Sequence, residues 1–254
     1  MSAGMRSLAL LVVLFFFRAA ASAETVTIAA ASDLVFCLER INTAFLRAHP
    51  GAKLKLSFGS SGNFFAQIKH GAPFDVFLSA DVAYPRQLAD GGAAVSETLT
   101  RYAIGRIVVW TARTDLDLSG VSALAQPGIK RLAIANPAHA PYGRAAREAL
   151  QHAKIWEDVQ PRLVLGENIS QTAQFVQTGN ADAGIVALSL VLSSKLKNVG
   201  RYVEIPESMH APLEQAAVLT THGRENPLAR AYLTFLGTAD ARAIFDEFGF
   251  RLPN

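Results

Sequence analysis

Phe58-Gly59-Ser60-Ser61-Gly62-Asn63-Phe64-Phe65-Ala66-Gln67-Ile68 and Leu165-Gly166-Glu167-Asn168-Ile169-Ser170-Gln171-Thr172-Ala173-Gln174-Phe175 follow one plan. Each ends an apolar run, turns at a glycine and opens a segment of helical period. Seventeen residues after Phe58 comes Asp75, and seventeen after Leu165 comes Asp182, each just before another apolar run. The Ala-Gln pairs 66–67 and 173–174 align as well. A weaker echo joins the run ending at Ala30, which leads through Ala31-Ser32-Asp33 into a helix, to the run ending at Ala135, which leads through Asn136-Pro137 to a helix beginning near Tyr142. Two explanations stand side by side: chance similarity, or two α/β lobes built on the same scheme.

Outward from these segments the chain alternates short strands with helices. The pattern predicts strands over 25–30, 53–58, 75–79, 106–111, 131–135, 163–165 and 183–187. Leu34, Cys37, Ile41, Ala44, Phe45 and Ala48 fall at helical spacing on one face. Residues 226–248 read as two amphipathic helices split near Gly237. Such alternation argues for an α/β fold with mainly parallel sheets. In open sheets of this kind ligands bind at the carboxyl ends of strands, where the following helices begin. Helices start near Ser32, Ser61, Tyr142 and Ile169. Each start offers unpaired backbone N–H groups and about half a positive charge. Two lobes facing each other would aim four such ends into one cleft, a site for an anion. No Lys or Arg lies in the turns 29–33, 58–63 or 165–170, so neutral donors would hold it.

Composition narrows the classes. The 254 residues are half hydrophobic, enough for a real core, with one cysteine, which forbids an intrachain disulfide. Residues 1–23 read as a secretory leader: Arg6 in the n-region, an unbroken apolar run from Leu8 to Phe17, and Ala21-Ser22-Ala23 as the cleavage site before Glu24. The apolar run is half of the roughly 20 residues a membrane span needs. Of 24 basic side chains, Arg6 and Arg18 belong to the leader, which leaves 22 against 21 acidic ones. That balance argues against a nucleic-acid partner, whose phosphates demand a basic surface.

Several motifs carry a family resemblance. Ile28-Ala29-Ala30-Ala31-Ser32 resembles the first motif of the periplasmic molybdate-binding proteins of ABC importers. Phe58-Gly59-Ser60-Ser61-Gly62 and Gly71-Ala72-Pro73-Phe74-Asp75-Val76-Phe77 resemble the second; Asn136-Pro137, Pro141-Tyr142-Gly143, Gly184-Ile185-Val186-Ala187 and Phe248-Gly249-Phe250 complete the set. The resemblance implies the type II binding-protein fold: two lobes, each a mainly parallel sheet flanked by helices, with the ligand cleft between them. It implies one tetrahedral oxyanion, molybdate and with it tungstate, held by Ser32 and Ser61 through hydroxyl and amide and by Tyr142 and Ile169 chiefly through backbone amide. No resident cofactor is implied, and no protein atom ligates the metal. Some relatives carry a tyrosine where this chain has Ala187, so the fifth contact is open between that position and the Asp33 N–H. The partner implied is an inner-membrane ABC permease, served by a monomer in the periplasm. Sulfate, another tetrahedral oxyanion, is the alternative ligand.

Each of these residues has a plainer role open to it. Ser32 is a good helix cap without any ligand, and Ser60 and Ser61 are turn formers. Asp33 sits where it complements a helix dipole, although a cleft carboxylate also offers an acceptor to a protonated anion. Asp75 and Asp81 suit the bracing of strand ends, and Cys37 a buried apolar face. Enzyme chemistry lacks its motifs: no G-x-S-x-G elbow, no paired histidines and no phosphate-binding G-x-x-x-x-G-K loop occur. A secreted hydrolase built on Ser61 would need His139 as its base. The expected division is lobe 1 over 24–103 and 217–254 and lobe 2 over 104–216, with crossings at 101–104 and 215–217.

Overall fold

Val26, Ile28, Ala29 and Ala30 have no solvent-exposed surface, on either face of their strand. That is the signature of a strand at the heart of a parallel sheet covered on both sides. The computed structural model describes residues 25–253; the expected leader 1–23 and its cleavage before Glu24 lie outside the described residues. The chain runs β1 (Thr25–Ala31), a 3-10 turn (Ser32–Leu34), α1 (Val35–Ala48), β2 (Lys53–Gly59), α2 (Ser61–Lys69), β3 (Val76–Ser79), α3 (Ala83–Asp90), β4 (Thr100–Gly105) and β5 (Ile107–Thr111). It continues through β6 (Leu132–Ala135), α4 (Pro141–His152), α5 (Trp156–Val159), β7 (Leu163–Gly166), α6 (Ile169–Gln177), β8 (Ala183–Ala187), α7 (Leu188–Val191) and β9 (Arg201–Glu204). β10 (Leu213–Leu219), α8 (Pro227–Leu236) and α9 (Ala239–Glu247) complete it.

Two five-stranded sheets result, ordered β2-β1-β3-β10-β4 and β7-β6-β8-β5-β9. They share one plan. β1 pairs in parallel with β2 and β3, as β6 does with β7 and β8. β10 then runs antiparallel to β3 and β4, and β5 antiparallel to β8 and β9. The repeated segments therefore occupy equivalent places, β2–α2 in one lobe and β7–α6 in the other, and the echo reflects one architecture used twice. Each sheet is mainly parallel, as expected: four strands run the same way, and one, β10 or β5, runs against them because it enters directly from the other lobe, without a helical crossover. β4, β9 and β10 are strands that the sequence pattern did not reveal.

The division between lobes differs from expectation. The expected crossings at 101–104 and 215–217 fall inside β4 and β10, which pair Leu213 with Gly105, Glu214 with Ile104 and Gln215 with Ala103. This side-by-side pairing keeps both strands in the first sheet, so 104–105 and 213–216 belong there and not to lobe 2. The chain crosses at Arg106, and returns over 205–212.

Burial follows the residue pattern closely. α1 buries Cys37, Leu38, Ile41 and Phe45 against the first sheet, while Ala48, expected on that face, is exposed. β2, an edge strand, turns Lys53 and Lys55 to solvent, a protection against edge pairing. The two C-terminal helices divide as expected, with Gly237 ending α8 and Thr238 capping α9 through the Ala241 N–H. The echoed aspartates have one job. Asp75 accepts from the Thr27 N–H and hydroxyl at 2.6 and 2.7 Å, at the start of β1. Asp182 accepts from the Lys130 and Arg131 N–H groups at 2.9 Å, at the start of β6. Burial opposes its ionisation, yet those amides and the Arg113 guanidinium hold its carboxyl below the usual range.

The lobes meet across the strand ends. The Gly62 N–H donates to the His139 carbonyl at 2.9 Å, and Arg144 on α4 pairs with Asp81 and donates to the Tyr84 hydroxyl at 3.1 Å. A Cβ at position 62 would lie 2.5 Å from the His139 carbonyl oxygen. Gly62→Ala is therefore expected to hold the lobes apart and to raise the radius of gyration in X-ray scattering. The thermal midpoint should not fall, because Ala is favoured over Gly by about 1 kcal/mol inside a helix. An unaltered scattering curve would mean that the lobes do not meet at His139 in solution.

Candidate functional site

Strand register sets the site. Ala31 of β1 stands opposite Gly59 of β2, and Ala135 of β6 opposite Gly166 of β7. The carboxyl ends of each pair are level, so the turns that follow begin at one height and face each other between the lobes. They line a small pocket of about 10 Å³ whose walls include Ser32, Asp33, Ser60, Ser61, Tyr142 and Ile169. Drug-sized ligands need pockets of about 300–1,000 Å³, so only a species of a few atoms suits this one. No cationic side chain lines it.

Which donors point inward follows from how each helix spends its first amides. In α2 the cap is Ser60, whose hydroxyl accepts from Asn63 N–H, while Gly62 N–H serves His139 of the other lobe. In α6 the cap is Asn168, whose side chain accepts from Gln171 N–H at 3.0 Å, while Ser170 N–H donates to the Ser32 hydroxyl oxygen at 3.3 Å. Only the first amide of each helix, Ser61 and Ile169, is left over on the cavity wall. In α4 the first position is Pro141, which has no N–H, and the cap Ala140 makes no side-chain bond. The first amide there is that of Tyr142. Helix N-termini leave such groups without intrahelical partners, and together they make a concave set of donors.

The two wall serines are oriented by the acceptor bonds they make. Ser61 Oγ accepts from Ala80 N–H at 2.9 Å, and Ser32 Oγ accepts from Ser170 N–H. An oxygen that accepts in this way keeps its own proton free to donate to a group in the cavity. Ser32 is thus no side-chain cap: it opens the 3-10 turn, whose flanking residue Ala31 makes no cap bond. Ser61 lies inside the helix and not just before it; Ser60 takes the capping place with an extended backbone, φ −82° and ψ 145°.

Asp33 is 99 % buried, and its carboxyl is pushed up to about 6 by desolvation. Hydrogen bonds from Gln215 and Tyr142 oppose the rise. Its Oδ2 accepts from the Tyr142 hydroxyl at 2.9 Å and the Gln215 side-chain amide at 2.6 Å; its carbonyl accepts from the Ser189 hydroxyl at 2.8 Å. Tyr102 donates to Gln215 Oε1 at 2.8 Å. Strands β4 and β10, the turn after β1, and helices α4 and α7 are tied together here. Gly105 is required beside them, since a Cβ would collide with the Tyr142 hydroxyl.

Ala187, at the end of β8, is buried but stands outside the cavity wall, and its methyl group offers no donor. Gln215, Tyr102 and Ser189 escaped the sequence reading, because nothing in their spacing marks residues brought together from three separate elements. His139 also gains a role. Its Nδ1 lies 2.8 Å from Ser60 Oγ and its Nε2 3.5 Å from Glu167, which resembles a hydrolytic triad. Ser60 Oγ already serves as a helix cap, however, and Glu167 is largely solvent-exposed, so the three groups form a polar latch between lobes.

Comparison with known proteins identifies the family. A family model described as bacterial extracellular solute-binding protein matches residues 26–251. The molybdate-binding protein ModA of Rhodobacter capsulatus is 37 % identical over 230 residues, 91 % of this chain and 89 % of that protein. ModA of Azotobacter vinelandii is 36 % identical over 233 residues, 92 % of each. The solved structure of the A. vinelandii periplasmic molybdate-binding protein superposes with a TM-score of 0.85 at 33 % identity, covering 90 % of this chain and 100 % of that one. The chain belongs to the bacterial extracellular solute-binding proteins of the two-lobed α/β type, and is a binding protein rather than an enzyme.

Proposed function

We propose that this protein binds molybdate, and tungstate equally, in the periplasm, and delivers it as a monomer to an inner-membrane ABC permease. Cleavage before Glu24 releases it from its leader, and the near-balanced charge leaves it without a nucleic-acid partner. The observation that carries the reading is the set of donors on the cavity wall: the Ser32 and Ser61 hydroxyls and the spare amides of Ser61, Tyr142 and Ile169, drawn from both lobes, with no cationic side chain among them. The Asp33 N–H completes the set as the fifth contact. A tetrahedral dianion presents acceptors only, and each of its oxygens finds N–H or O–H groups. The relatives named for molybdate support the choice of anion. Molybdate and tungstate share charge, shape and nearly the same size. Sulfate has shorter bonds, and its oxygens fall short of donors fixed to two separate sheets.

Titration calorimetry tests this. Molybdate and tungstate are expected to bind with affinities within about threefold of each other, and sulfate at least tenfold more weakly, a difference of about 1.4 kcal/mol. Sulfate binding as tightly as molybdate would overturn the choice of ligand.

The two adjacent serines separate the site from the latch. Hydrogen bonds to charged groups contribute about 1.5–3 kcal/mol, so Ser61→Ala should weaken molybdate about 10- to 150-fold. Ser60→Ala removes a neutral contact to His139, about 0.5–1.5 kcal/mol, and should weaken binding about 2- to 10-fold. The reverse order would move the anion to Ser60.

A further inference from the structure

One buried acceptor in the site has no partner. Asp33 Oδ2 is fully engaged by Tyr142 and Gln215, but Oδ1 is inaccessible to solvent and meets no protein donor. Asp33 is part of the cavity wall and its Oδ1 has no hydrogen-bond partner in the protein, which leaves the occupant of the cavity as the group to partner it. A bare carboxylate oxygen there would face an anion's oxygen, acceptor against acceptor, in a space without any cation. A carboxylic acid would face it as a donor. We propose that the oxyanion is captured together with one proton from solvent, carried on Asp33 Oδ1 and donated in a hydrogen bond to an oxygen of the anion. The inference rests on the molybdate reading and adds a proton to it.

The surroundings favour the neutral acid. Burial, only partly offset by the hydrogen bonds from Gln215 and Tyr142, lifts the carboxyl to about 6, and a dianion alongside lifts it further, because a like charge disfavours ionisation. Molybdate is a weaker base than a carboxylate so raised, so the proton stays with Asp33. The groups packed around the turn hold no competing charge. α6 and α7 contribute no titratable side chain; Cys37 on α1, Tyr102 on β4 and Tyr142 on α4 are all pushed upward by burial and stay neutral; Gln215 on β10 is uncharged. The tighter binding is therefore present below pH 6 and is lost as the pH rises through that value. With a carboxyl near 6 in the free protein, the affinity should fall tenfold per pH unit above it, and be about 50-fold weaker at pH 8 than at pH 6.

Calorimetry with sodium molybdate at pH 6 and pH 8, in buffers of different ionisation enthalpy, reads both the affinity and the proton. The parent protein is expected to lose about 50-fold and to take up about one proton per anion at pH 8. Asp33→Asn keeps the shape and places an amide donor at the same position. It is expected to bind within threefold at both pH values, without proton uptake, and at least tenfold more tightly than the parent at pH 8. Tyr142→Phe removes a donor to Oδ2, which raises the Asp33 carboxyl and moves the onset of the loss to higher pH. His139→Gln, at the latch, should keep the slope. Parent affinity equal at both pH values, or a slope that survives Asp33→Asn or vanishes in His139→Gln, overturns the proposal. Absence of molybdate binding at both pH values instead overturns the molybdate reading, and this inference with it.

Discussion

A site for a dianion without a cation depends on backbone amides that nothing else consumes. Each helix N-terminus begins with donors to spare, and capping normally absorbs some of them. Here the third amide of α2 and of α6 goes to the helix's own cap and the second to the opposite lobe. The first is spared in both. Pro141 achieves the same end in α4 by having no N–H at its first position. The cavity's polarity is thus what remains after the structural hydrogen bonds have been made. Its placement depends on strand register, which brings Ala31 level with Gly59 and Ala135 level with Gly166.

The same assignment explains why closure and binding go together. The second amides of α2 and α6 find His139 and Ser32 only when the lobes meet. Parting the lobes would strip the cap-adjacent amides of their partners and break the ring of donors at once. A ligand that touches both lobes therefore stabilises the closed arrangement by the contacts it makes only there. The Arg144–Asp81 pair lies at the rim and adds a charged contact across the cleft without entering the cavity.

Much of the plan was legible before any coordinates. The echo of 58–68 in 165–175 reports two equivalent βα units because the requirements are local: a strand end, a glycine where a Cβ would press on the Phe64 ring or the Thr172 hydroxyl, and a polar cap. Asp75 and Asp182 were legible for the same reason. What escaped was non-local. β4 and β10 form one antiparallel ladder from segments more than a hundred residues apart, so their pattern gave no sign that both remain in the first sheet. Gln215 was read as part of a crossing, and its contact with Asp33 spans 182 positions. Which of Ser60 and Ser61 caps the helix was not legible in the residues alone, since a serine caps and turns equally well at either position; only the resemblance singled out Ser61 for the anion. The extended backbone at Ser60 decides the cap.

Asp33 joins the hinge between the lobes to the wall of the cavity. A buried carboxyl in a dry, cation-free place is costly unless its oxygens are satisfied. The fold satisfies one oxygen with Tyr142 from the second lobe and Gln215 from the returning strand, at the point where the chain passes between lobes. Both donors depend on the close approach of β4, β10 and α4, and that approach depends on Gly105 having no side chain. The second oxygen is left to the cavity. The residue that ties the hinge together is therefore also one whose charge the ligand feels directly. Its carboxyl near 6 reflects both facts: burial raises it, and the two hinge donors restrain the rise. Any substitution that loosens the hinge donors changes the electrostatics of the cavity, and any anion that fills the cavity changes the balance at the hinge.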